Sequence, residues 1–183
     1  MELDVRRGLL VHHDPVPDPV PDHVPTLAEA LAACGPLHVN VEIKNDPAEA
    51  DFDPQDHLAE AVVAELARLG EGPRILISSF RLATVDAVRR LEPNLATAFL
   101  TYDEDQIAAA DLAADRGHQA LHPWQVLVTR ELVEHCHRRG LEVNTWTVDD
   151  PDRMRELIDV GVDGICTNVP DIALAVLAER SGD

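Results

Sequence analysis

Seven short apolar runs alternate with seven longer amphipathic stretches, and this rhythm narrows the possible folds more than any other feature of the chain. The apolar runs are Glu2–Val5, His38–Lys44, Arg74–Phe80, Ala96–Leu100, Gln119–His122, Leu141–Val148 and Asp163–Thr167. Between them, spacing near 3.6 predicts helices over Thr26–Cys34, Pro54–Leu69, Ala83–Leu91, Asp103–Arg116, Thr129–Arg139, Pro151–Val160 and Asp171–Arg180. Thr26 stands three residues before Glu29, the spacing of a capping box, and Gly70 and Gly140 each close a helical pattern. Pro151 and Pro170 fall at or just before helix starts, where a missing N–H costs nothing. Repeated strand–helix units with short loops imply parallel pairing through right-handed crossovers. Two architectures satisfy that rule, an open doubly wound sheet and a (β/α) barrel.

The strand patterns favour the barrel. Val39, Val41 and Ile43 alternate with Asn40, Glu42 and Lys44, so one face is apolar and the other polar toward the following loop. A sheet covered by helices on both faces reads as nearly continuous apolar residues instead. Leu3 and Val5 oppose Glu2 and Asp4 in the same manner, and Val143 and Thr145 oppose Asn144 and Trp146. The expected fold is therefore an α/β TIM (β/α) barrel, incomplete, with seven units where a closed barrel has eight and 183 residues where about 250 is typical. One domain is expected over residues 1–183, interrupted by a proline-rich extended connection at Pro15–Pro25.

Composition removes several function classes. Lys+Arg number 15 against Asp+Glu 34, a formal charge of −19, and such a field repels nucleic acid and anionic lipid. Apolar residues make up 45 %, so the acidity does not imply disorder. Cys34, Cys136 and Cys166 are odd in number and far apart, which suits a reducing compartment and gives neither a disulfide framework nor a zinc site. With no apolar leader at Met1–Arg7 and no run approaching 18 apolar residues, the chain reads as soluble and cytoplasmic, with no membrane insertion.

Three carboxylates carry the chemistry. Glu2 and Asp4 project from one strand and Glu42 from the corresponding end of the next. Oxygen donors without Cys or His select Mg²⁺ or Ca²⁺ over zinc. Lys44, on the face of Glu42, could set a point charge against a phosphate oxygen. His13, followed by Asp14, could serve as an acid or base nearby. Each has a plainer reading, as a solvated face, a surface ion pair or a surface histidine. His57, His118, His122, His135 and His137 are scattered, and His135 and His137, two apart on a helix, cannot share one metal. Cys166 reads as a small core residue.

Several segments, in order, resemble the glycerophosphodiester phosphodiesterases. They are Glu2-Leu3-Asp4-Val5, Val11-His12-His13-Asp14, Pro25-Thr26-Leu27-Ala28-Glu29, Asn40-Val41-Glu42-Ile43-Lys44 and Ser78-Ser79-Phe80. Near the C-terminus, Thr145-Trp146-Thr147-Val148 and residues Gly161 to Asp171 continue the series. The resemblance implies a TIM barrel that hydrolyses glycerophosphodiesters to glycerol 3-phosphate and an alcohol with a divalent cation. It further implies Glu2, Asp4 and Glu42 as metal ligands, His13 as one of two catalytic histidines, Lys44 on the phosphate and Trp146 lining the substrate pocket. The sequence departs from the family in two places: the proline-rich stretch Pro15–Val24 stands where the family carries a small insertion, and one motif is missing. The His-Arg-Gly strand and its helix, which precede the Glu-x-Asp strand and supply the other histidine, do not occur in these 183 residues. Three expectations follow: a start that lies further upstream, a weakened or non-catalytic relative that binds a phosphorylated metabolite or a protein partner, or a gap covered by another subunit. A carboxylate–metal lyase or aldolase acting on a carbonyl is a weaker alternative.

Overall fold

The computed structural model describes residues 1–103 and 105–181. They form two units, residues 1–99 and residues 100 onward.

The first unit holds β1 (Glu2–Arg6), β2 (Leu10–Val11), α1 (Leu27–Cys34), β3 (Val39–Ile43), α2 (His57–Leu69), β4 (Ile75–Ser79) and α3 (Leu82–Leu91), and leads into β5 (Ala96–Thr101). Strand order is β2-β1-β3-β4-β5. The pairs β1–β3, β3–β4 and β4–β5 are parallel, as the strand–helix rhythm requires, and β2 returns antiparallel to β1. No strand is expected from the sequence at Leu10–Val11, because two residues carry no period. The turn that makes it possible places Gly8 at φ 79° and Leu9 at φ 58°. Residues 15–25 form neither helix nor strand, in line with their prolines.

Local chemistry sets the helix ends. The capping box of α1 is realised, with Thr26 Oγ1 accepting from Glu29 N and Glu29 Oε2 accepting from Thr26 N at 2.8 Å. Helix α2 begins at His57 rather than at the expected Pro54, because Asp56 adopts a left-handed φ of 59°. Asp56 is held there by Arg81, Thr84 and Asn45, a buried polar cluster that pins the β3–α2 loop. The core joins Val5, Val39, Val41, Ile43, Ile75 and Ile77 from the sheet to Leu27, Leu31, Val62, Leu66 and Val88 from the helices. Each such side chain contributes about 1.5–3 kcal/mol on burial.

The second unit holds α4 (Gln106–Asp115), β6 (Ala120–Pro123), a 3-10 turn at Gln125–Leu127, α5 (Arg130–Arg138), β7 (Glu142–Thr145), α6 (Pro151–Val160), β8 (Gly164–Ile165) and α7 (Pro170–Ser181). Its strands β6, β7 and β8 pair in parallel. Asp105, Thr129 and Asp150 cap α4, α5 and α6 through their side chains. The expected start of α4 at Asp103 is replaced by Gln106, and Glu104 lies outside the described residues. His135 pairs with Asp111 and His137 with Asp163, so the two histidines have separate partners. Cys136 is buried, and burial pushes its thiol up to about 11, far from a nucleophile's range. Cys166 is half-buried just beyond β8, not the core residue expected, because that strand ends one residue earlier.

Among the described residues, seven strands are each followed by a helix, β1 by way of the β2 hairpin. The fold is α/β. No helix among the described residues is long and apolar enough to cross a membrane.

Candidate metal centre

The register of β1 against β3 builds the site. Parallel pairing sets Asp4 beside Glu42 and Glu2 beside Asn40, and residues two apart on a strand share a face. Glu2, Asp4 and Glu42 therefore come together, each offering an oxygen within 4.8 Å of those of the other two. Asn40 Nδ2 donates to Glu2 Oε2 at 2.8 Å and steadies the outermost of the three. Strand β1, which carries Glu2 and Asp4, is held at its start, since Met1 O accepts from Asn40 N at 2.8 Å.

Burial grades the three groups. Glu2 is exposed, Asp4 half-buried and Glu42 only 4 % exposed. Burial pushes the Glu42 carboxyl up to about 7, with Lys44 opposing the shift and the charges of Asp4 and Glu2 adding to it. Lys44 Nζ lies 2.7 Å from Glu42 Oε1 and 3.6 Å from Asp4 Oδ1. Both of those oxygens are shut away from water, and Lys44 meets them as an ion-pair partner. Three carboxylates carry more negative charge than one ammonium offsets, and a hard cation is what their chemistry suits. The donor set, three carboxylates with no sulfur or imidazole, fits an oxygen-seeking divalent ion.

His13 lies beyond β2, where the chain bends, and its side chain is 77 % exposed. Its Nδ1 is 3.2 Å from Asp14 Oδ1, and His12 Nδ1 is 2.7 Å from the Asp14 carbonyl. The structure groups Glu2, Asp4, Glu42 and Lys44; neither histidine belongs to the oxygen cluster.

Arg6, which no motif in the sequence marks, organises this end of β1. Its side chain is 2 % exposed and donates to the His13 carbonyl through Nε (3.0 Å) and Nη2 (2.6 Å). The same guanidinium bonds Glu49 at 2.7 and 3.0 Å and Asp51 at 3.2 Å. One buried cation thus ties the His13 segment to the loop that follows Lys44. The signal was present, since Arg6 continues the Glu2–Asp4 face, but its partners lie 43 and 45 residues away.

Trp146 belongs to the second unit. Its indole Nε1 donates to the His122 carbonyl at 2.8 Å. His122, at the end of β6, is 5 % exposed, and burial lowers its imidazole to about 4. Asn144 Nδ2 lies 3.2 Å from His122 Nε2. Asn144 also crowds Gly164, where an added Cβ would stand 2.3 Å from Asn144 Oδ1, so a side chain there would require that amide to move.

Parallel strands with crossover helices, and carboxylates gathered on one face of adjoining strands, define a class of α/β proteins with an acidic cluster on the sheet. The chain belongs to the glycerophosphoryl diester phosphodiesterase family, whose model matches residues 3–172. A glycerophosphodiester phosphodiesterase of Caldanaerobacter subterraneus subsp. tengcongensis is 29 % identical over 144 residues, covering 79 % of this chain and 56 % of that protein. A solved structure of a glycerophosphoryl diester phosphodiesterase from Silicibacter pomeroyi is 33 % identical with a TM-score of 0.78, covering 87 % of this chain and 58 % of its own. A phosphodiesterase of Oleispira antarctica, solved with sn-glycerol-3-phosphate, is 16 % identical with a TM-score of 0.75 and shares the fold over 96 % of this chain and 83 % of that one. The chain spans a little over half the length of the first two proteins.

Proposed function

We propose that the protein hydrolyses glycerophosphodiesters to glycerol 3-phosphate and an alcohol, with Mg²⁺ or Ca²⁺ held by Glu2, Asp4 and Glu42. The observation that carries this reading is the convergence of three carboxylates, two of them with a buried oxygen, Asp4 Oδ1 and Glu42 Oε1, that faces the Lys44 ammonium. When bound, the ion would supply Lewis-acid polarisation of a phosphoryl oxygen.

The chain's own groups supply the rest. Lys44 would place a point charge on the phosphate, since three carboxylates around a divalent ion still leave a net negative site facing an anionic ester. His13 would move a proton at the reacting oxygen. Its Nδ1 is engaged with Asp14, which leaves Nε2 as the nitrogen that exchanges the proton. Arg6 would keep that histidine's backbone in register with the Lys44 loop. Trp146 would form a wall for the substrate. The free Cys34, Cys136 and Cys166 support a reducing, cytoplasmic setting.

The test is release of glycerol 3-phosphate from glycerophosphocholine, with and without chelator. Release that stops with chelator and in Glu42→Gln is the expected result. His13 is exposed and lies outside the oxygen cluster, and this favours a second reading in which the chain binds a phosphorylated metabolite without turnover. No release, together with measurable binding of glycerol 3-phosphate, would establish that reading in place of the first.

A further inference from the structure

Lys44 is the only lysine in the chain; all other members of the 15 Lys+Arg residues are arginines. That one ammonium stands against the two buried oxygens of the acidic cluster, 2.7 Å from Glu42 Oε1 and 3.6 Å from Asp4 Oδ1, with its side chain 15 % exposed. The oxygens offered to a divalent ion are thus already facing a cation. A divalent ion and the ammonium compete for them, because like charges a few ångströms apart in a partly buried site repel.

We infer that Lys44 is a resident counter-ion with two stations, neutralising Asp4 and Glu42 until a divalent ion displaces it and then facing the incoming phosphate. The inference rests on the divalent-ion reading above. It explains why this position holds the chain's one lysine. An ammonium on a flexible four-carbon stem is a point charge that can let go, whereas the planar fork of arginine would clamp a carboxylate in two places. The backbone remains still while the side chain moves, since Lys44 N donates to Val5 O at 3.0 Å. Ion binding and anion binding then favour each other, and the coupling is reciprocal.

A single lysine makes the test specific. Reductive methylation with formaldehyde reaches only Lys44 and the α-amino group of Met1, which is exposed and serves as the internal reference. The ratio of Lys44 to Met1 labelling is read by mass spectrometry without ion and with Mg²⁺ or Ca²⁺, each tried separately. Calorimetry on the same samples reports whether the ion binds. Severalfold faster relative labelling of Lys44 with ion is expected. Lys44→Met is expected to bind the ion at least about tenfold more tightly and to lose the gain in ion affinity that inorganic phosphate gives the parent chain. Ion binding with an unchanged or lowered labelling ratio overturns the exchange and leaves the ion site standing. No ion binding in either protein overturns both.

Discussion

At the end of β6, burial alone holds the His122 imidazole near 4, against an ordinary 6.5, and its Nε2 faces the Asn144 amide. A ring in that state stays neutral in the folded chain while the unfolded chain takes up a proton. Stability is therefore complete above about 6.5 and is lost as pH falls toward 4, by up to about 3 kcal/mol. Melting curves of the parent chain and of His122→Gln, followed from pH 7 to 4.5, are expected to converge as the pH drops; parallel curves would refute the assignment. Glu42 departs from its ordinary range in the opposite sense, upward, through burial. The two differ in how far the sequence reveals them. Glu42 is legible because two-residue periodicity and parallel pairing bring it beside Asp4. His122 is not, because its shift arises from burial, and one histidine in an apolar run carries no mark of how deeply it sits.

The elements of the first unit are tied together at the ends of β1 and β3 by Arg6. Replacing Arg6 with Gln removes the charge that Glu49 and Asp51 share and loosens the His13 carbonyl. Loss of one partner from a largely buried ion pair costs about 3–5 kcal/mol at full burial, and less here because Glu49 and Asp51 are 29 % and 22 % exposed. Hydrogen exchange at residues 12–14 and 49–52 is expected to quicken in Arg6→Gln, with exchange in the β4 core unchanged. Exchange at those loops that matches the parent chain would show that other contacts hold them. Helix starts and ends are readable wherever their chemistry is local, as in the Thr26–Glu29 box and the left-handed Gly70. The late start of α2 and the β2 hairpin are not, since each depends on residues at positive φ or on partners distant in sequence.

Across the whole molecule, a formal charge of −19 draws cations toward every face and repels anionic esters. An anionic ester approaches most readily where local cations offset that field, and beside the acidic cluster Lys44 is such a cation. The alternation of apolar and polar residues on the strands revealed the α/β fold and this cluster together, because one pattern governs both packing and the direction of the carboxylates. The most direct measurement is calorimetric titration of Mg²⁺ or Ca²⁺ into the chelator-treated chain and into Glu42→Gln. The account predicts one ion per chain in the first and none at the same concentrations in the second. Equal binding by both proteins, or by neither, would contradict it.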